Sequence, residues 1–131
     1  MHVTVGAVPI DLLNGRGGEC SALVRARVEG ARRAQRERYA SLAGVQCNAH
    51  VAGRWLDSRG DAPAGARSML LAAANRLALS ARGYHRVLKV ARTIADLDGE
   101  SSIGEMQVAE ALRYRPAPTA AAPLVATVAE R

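Results

Sequence analysis

Between Leu79 and Leu97 the chain reads Leu-Ser-Ala-Arg-Gly-Tyr-His-Arg-Val-Leu-Lys-Val-Ala-Arg-Thr-Ile-Ala-Asp-Leu, and this stretch restricts the possible folds more than any other. Tyr84, Val87, Leu88, Ala91 and Ala95 recur at three- and four-residue steps, the spacing of one face of an α-helix. An apolar stripe of that length has to be covered by neighbouring elements. Arg82, Arg86, Lys89 and Arg92 follow an adjacent stripe and are expected to form a positive ridge. Ser80 is placed to cap the N-terminus, its hydroxyl accepting from an orphaned backbone amide. Gly99 is placed to end the helix in the left-handed conformation. This boundary puts Arg82 in the first turn, where the helix dipole opposes a cation by a few tenths to ~1 kcal/mol. A charge set against the local field points to function rather than stability.

What can cover the stripe follows from composition. Of the 131 residues 49% are hydrophobic, but much of that is alanine; Phe is absent and aromatics make up only 3%. A core of many small contacts suits closely approaching helices better than a thick sandwich, and the length suits one domain. The remaining segments agree. A long basic helix is expected from about Cys20 to Tyr39, with Val24, Val28, Ala31 and Gln35 on one face and Arg25, Arg32, Arg33, Arg36 and Arg38 around the rest. A short helix capped by Asn48 should bring Trp55 and Leu56 to the core. Another, starting near Pro63 and running to about Ala78, should bury Met69, Leu70, Ala73, Ala74 and Leu77. A last helix from Glu105 to about Tyr114 should bury Val108, Ala111 and Leu112, with Ile103 as an anchor before it. The expected fold class is all-α, a small bundle of about five helices over residues 19–115. Residues 1–18 carry one strand-like segment and a glycine-rich connector and are expected to be largely disordered, as is the Ala/Pro-rich tail 116–131.

The net charge of +6 comes from seventeen arginines and one lysine, Lys89. Guanidinium matches phosphate with paired hydrogen bonds, so phosphate-bearing partners are favoured. No catalytic constellation accompanies this charge. The glycines at 15–18 lack the following lysine of a phosphate loop. His2, His50 and His85 have no partners at metal-ligand spacing, and no metal site is expected. Asp96, Asp98 and Glu100 read as a solvated acidic helix end. Cys20 and Cys47 form no redox or metal motif and are expected to be reduced. Neither a membrane span nor a signal peptide is visible, so a cytoplasmic location is expected. By itself the chain is not expected to catalyse a reaction.

The Leu79–Leu97 stretch, followed by Gly99, Ile103 and Val108-Ala-Glu-Ala-Leu-Arg-Tyr-Arg115, resembles the C-terminal domain of magnesium-chelatase-like AAA+ ATPases, most of all their ComM/YifB branch. Ser21-Ala-Leu-Val-Arg-Ala-Arg-Val-Glu-Gly-Ala-Arg-Arg-Ala-Gln35 and Cys47-Asn-Ala-His50 match the same family in order and spacing, so the resemblance spans about residues 19–115. The opening His-Val-Thr-Val is similar to the last strand of the family's ATPase core. The resemblance implies a helical lid whose upstream P-loop core, lying before Met1, binds ATP and Mg2+, neither of them bound by the lid alone. It implies a homo-oligomeric ring, usually hexameric, in the parent protein, the lid alone being monomeric. The Ser80-Ala-Arg82 step matches the sensor-2 motif, which makes Arg82 the residue expected to reach the terminal phosphate and assist hydrolysis, with Arg86 a second nucleotide contact. Members of this branch are implicated in DNA processing as ring helicases, and Arg25, Arg32, Arg33 and Arg36 are then candidates for touching DNA. Two other readings stay open: a self-sufficient basic helical module that binds nucleic acid, and the lid of a true magnesium chelatase ATPase subunit.

Overall fold

A computed structural model describes residues 1–10, 15, 17–59 and 61–115. Among these residues the regular structure is entirely helical. Five helices follow in chain order: α1 (Ser21–Arg38), α2 (Gly53–Ser58), α3 (Ala64–Arg76), α4 (Ala81–Asp98) and α5 (Glu105–Arg113). Residues 1–10 form no strand; the amide of His2 donates to the carbonyl of Tyr114 at 2.9 Å, laying the start of the chain against the end of α5. The expected disorder of 11–14 and 116–131 falls outside the described residues.

The architecture is set by α4, which packs against each of the other four helices. Its stripe is buried as the periodicity demands: Val87, Leu88, Ala91, Ile94 and Ala95 lie in the core, with Tyr84 half-buried. Ala91 and Ala95 are fully covered, and their small side chains let neighbouring backbones approach closely. Around them pack Leu56 of α2, Ala66 and Leu70 of α3, and Val108 and Ala111 of α5. Ile103, the expected anchor, is buried, and its amide donates to the carbonyl of Asp61 at 2.7 Å. Each such fully buried aliphatic side chain stabilises the fold by about 1.5–3 kcal/mol. Tyr39 and Trp55 meet with ring centroids 5.4 Å apart.

Several expectations need correction. Asn48 does not cap a helix; α2 begins at Gly53 with Ala52 before it, and Asn48 is buried and bonded elsewhere. Met69 and Leu77 of the α3 region are exposed, because only the Ala66–Leu70–Ala73 line of that helix faces the core. Val24 and Val28 are also exposed, although Ala31 and Gln35 on the same line of α1 are buried. The reason is length: every residue from Ser21 to Glu29 is exposed, so α1 overhangs the body it packs on.

The corner between α3 and α4 contains a strained residue. Ala78 adopts φ 47°, the left-handed region, and beside it the Leu79 amide closes the helix end on the carbonyl of Ala74 at 2.8 Å. A Cβ in this region costs roughly 1–2 kcal/mol, part of which glycine's greater unfolded-state freedom would offset. Ala78→Gly is therefore expected to raise the thermal midpoint by a few degrees; an unchanged or lower midpoint would refute the strain.

Candidate phosphate-facing end of the bundle

The N-terminus of α4 is held where it is by the Ala78 corner and by a side-chain cap. Ser80 Oγ accepts from the amide of Gly83 at 3.2 Å, as the sequence led one to expect. Helix geometry leaves the first amides beyond the cap, those of Ala81 and Arg82, without intrahelical acceptors. Arg82 is exposed beside them, so this end combines a positive dipole, free amides and a guanidinium. Arg86 lies one turn further along and is also exposed; it lines a cavity of about 150 Å³ together with Gly83 and Arg115. Arg82 is not among the residues lining that cavity. The end is chemically suited to receive an anion, and the described residues there supply no nucleophile–base pair.

The other half of α4 departs from the expected ridge. Arg92 is wholly buried rather than displayed. Its Nε donates to Asp96 at 3.1 Å, and its terminal nitrogens donate to the carbonyls of Glu100 and Ser101. Asp96, expected to be solvated, is likewise buried, because its oxygens collect donors from three parts of the chain. They accept from Gln35 at 3.1 Å, from both terminal nitrogens of Arg38, from Asn48 at 2.8 Å and from Arg92. Asn48 meets its full capacity here: its amide nitrogen donates to Asp96 and Thr93, while its oxygen accepts from Tyr39 and Arg38. Burial alone would raise the Asp96 carboxyl. Hydrogen bonds from Arg38 and Asn48 and the charges of Arg92 and Arg38 outweigh it and hold the group below the ordinary carboxylate range. This network locks α1 and the 100–101 loop to α4, and so fixes where both arginine-bearing helices point. Lys89 donates to the carbonyl of Ala49 at 3.0 Å and is therefore also spoken for.

The α1 candidates stand apart from this end. Arg25, Arg32, Arg33 and Arg36 are all exposed. Helical spacing brings Arg25, Arg32 and Arg36 onto one side, and Arg33 to a neighbouring line. Arg32 and Arg36 border a cleft with Gln46, Cys47 and His50. Burial would raise the Cys47 thiol, but the amides of Ala49 and His50 together with Arg32 lower it, the response of an acidic group in a positive setting. Among the described residues no three His, Cys, Asp or Glu side chains come together as a metal site, and no helix is long and apolar enough to cross a membrane.

Sequence reasoning missed Asn48, Asp96 and Arg115. For Asp96 a signal was present: Arg92 sits four residues after core-facing Leu88, and Asp96 four after Arg92, which makes an ion pair along a buried line. For Arg115, at the edge of a low-complexity tail, there was none.

Comparison with known proteins gives a consistent result. Residues 18–115 match the family model described as magnesium chelatase, subunit ChlI C-terminal. The chain is 38% identical over 117 residues to the competence protein ComM of Haemophilus influenzae, a match covering 88% of this chain and 22% of that protein. Uncharacterized proteins of Mycobacterium bovis and Mycobacterium tuberculosis are 40% identical over 98 residues, 75% of this chain and 19% of theirs. The chain thus spans about a fifth of the length of the curated relatives it matches.

Proposed function

The chain belongs to the magnesium chelatase subunit ChlI C-terminal family, and from that premise we propose that it is the helical lid of a ComM-type ring ATPase that works on DNA. In this reading Arg82 is the sensor-2 residue. It approaches the terminal phosphate of ATP held by a P-loop core, and neutralises the charge that develops as that phosphate is transferred. Arg86, on the same face of the helix, adds positive potential toward the nucleotide. Mg2+ belongs to the core, and the lid supplies no ligand to it.

One observation carries the reading: Arg82 is exposed in the first turn of α4, against the local dipole and without an acidic partner among the described residues. An arginine kept there for stability would have a counter-charge. Further along the helix Arg92, by contrast, is paired and buried, while Arg86 is exposed like Arg82. The test is Arg82→Ala in the complete protein, with steady-state ATP turnover as the readout. Turnover at the wild-type level would sink the assignment.

The second part of the reading, contact with DNA, is favoured by Arg25, Arg32 and Arg36 standing exposed along one side of α1. If these arginines meet backbone phosphates, duplex affinity should fall steeply with salt, and each Arg→Gln change should flatten the log–log slope by about 0.9. Affinity of the complete protein that is indifferent to all three substitutions would exclude α1 as the DNA-facing surface.

A further inference from the structure

The outer side of α3 has the character of an inner one. Ala66, Leu70 and Ala73 face the core. Gly65, Ser68, Met69, Ala72, Asn75 and Arg76 recur at the same three- and four-residue steps on the outside, and all are exposed. Leu71 widens this face, and Leu71 and Met69 are 49% and 37% exposed. The helix carries only two charges, Arg67 and Arg76. Arg67 turns aside to α2, where it donates to the carbonyl of Asp57 at 3.1 Å, and Arg76 stands at the last position. Almost the whole outer face is therefore uncharged, in a chain of which 23% is charged. A helix that is apolar all round is normally a covered one. Among the described helices α3 packs only on α4 and α5, which leaves this face open.

The charges at the two ends of the face say what covers it. Glu105 reaches across from the first turn of α5, and a Cβ on Gly65 would strike its carboxylate. The face thus begins at a carboxylate and finishes at the guanidinium of Arg76. Both residues are exposed, and neither joins an ion pair among the described residues. From Gly65 to Arg76 the helix rises about 16 Å, at 1.5 Å per residue, so the two charges cannot meet within one chain. A second copy laid antiparallel brings them together. Its two-fold symmetry sets Arg76 of each copy against Glu105 of the other, and the ion pair is made at both ends. Met69, Leu71 and Ala72 then meet across the middle, where the small side chains of Ser68 and Ala72 let the helix axes approach closely. A parallel arrangement would set arginine beside arginine and carboxylate beside carboxylate.

We propose that the outer face of α3 is a self-association surface, and that its occupant is the antiparallel α3 of a second copy of this chain. The proposal does not rest on the ATPase reading, because both charges and the apolar face belong to this chain. An isologous contact joins two copies and cannot by itself close a ring. In the ring of that reading it would tie a subunit of one ring to a subunit of another.

The test is sedimentation velocity of the 131-residue chain over a concentration series reaching about 1 mM. One helix pair is a small contact, so dimers are expected to form at about 10–100 µM. Leu71→Asp and Ala72→Glu each place a carboxylate in the middle of the face and should weaken the dimer at least ten-fold. Ala40→Glu, exposed beyond the end of α1, should leave it unchanged. Charge reversal then reads the register. Arg76→Glu alone and Glu105→Arg alone should each weaken pairing several-fold, while an equimolar mixture of the two should recover it. Only unlike chains then present opposite charges at both ends of the contact. Far-UV circular dichroism of each variant separates lost pairing from lost folding. The two substitutions at exposed positions of α3 keep the test decisive whatever Glu105→Arg does to α5. A chain that stays monomeric at the highest concentration would mean that another part of the complete protein covers the face, and would overturn the second copy as its occupant. Dimers indifferent to Leu71→Asp and Ala72→Glu would overturn it too, as would a mixture that pairs no better than either reversed chain alone. Because the ATPase reading is judged by Arg82 and turnover, either can fail without the other.

Discussion

Asp96→Asn is expected to cost about 3–5 kcal/mol of folding stability, a large part of the 5–15 kcal/mol that holds a typical domain together. The size of the effect comes from what would be left behind. Arg92 has no side-chain exposure and Arg38 has little, and Asp96 is the only acidic side chain within salt-bridge reach of either among the described residues. Removing one charge leaves two desolvated cations side by side, with the amide of asparagine able to accept from only some of five donors. Urea unfolding should show a lower midpoint at an unchanged slope. Asp98→Asn, two residues on and exposed, is the matched control, with a change within ~0.5 kcal/mol. A loss below ~1 kcal/mol for Asp96→Asn would mean that the hub is ornamental. The same carboxylate should set the acid limit. Its folded pKa lies below the ordinary 3.8, so in acid the unfolded chain takes up the proton first. The stabilisation is complete above that value and is lost as pH falls through the lower folded pKa. Wild-type stability should drop steeply below about pH 4, and that drop should be shallower in Asp96→Asn.

Arg82→Ala is expected to have the opposite profile. If the guanidinium meets charge that develops at the transferred phosphate, its removal should reduce ATP turnover in the complete protein by about 10²–10³-fold, the usual loss for one preorganised donor. Arginines that act directly on phosphoryl transfer reach larger factors. Stability should stay level or rise slightly, because the exposed side chain makes no described bond and opposes the dipole of α4. Arg82→Lys should recover part of the rate, since it restores the charge without the planar fork. Lower activity with unchanged unfolding is the pattern that separates a phosphate-facing residue from one holding the lid together. A parallel fall in both would favour the structural role.

The two sites were unequally legible. The limits of α4 could be read directly because they rest on local chemistry: a serine hydroxyl three residues from the amide it caps, and a glycine where a left-handed residue is needed. Arg82 and Arg86 were singled out by position within that helix, and both lie exposed on it. The hub was not, because the partners of Asp96 at Gln35, Arg38 and Asn48 lie 61, 58 and 48 residues away. Helical periodicity places a residue on a face but does not say what lies opposite, so Arg92 was assigned to a ridge from its spacing to Lys89 when its spacing to Leu88 mattered more. The same limit explains Val24 and Val28: their line on α1 is apolar as far as Ala31, but only Ala31 and Gln35 are buried on it, and Val28 merely borders a cleft with Leu97. The Arg115 cavity needed Met1 and His2 to meet α4 and the end of α5, which no single segment records.

The overhang of α1 has a mechanical meaning. Among the helices α1 touches only α4, and its nine residues from Ser21 to Glu29, about 13 Å of helix at 1.5 Å per residue, are all exposed. The helix is thus a lever with a short inner arm, pinned by Ala31, Gln35 and Arg38 and braced by Tyr39 in the core. A load applied at Val24 or Arg25 is carried to the bundle through Asp96, and from there along a rigid helix to Arg82 at its far end. Two surfaces that share no contact are therefore joined through one stiff rod, and a push on the arm becomes a tilt at the Arg82 end of α4.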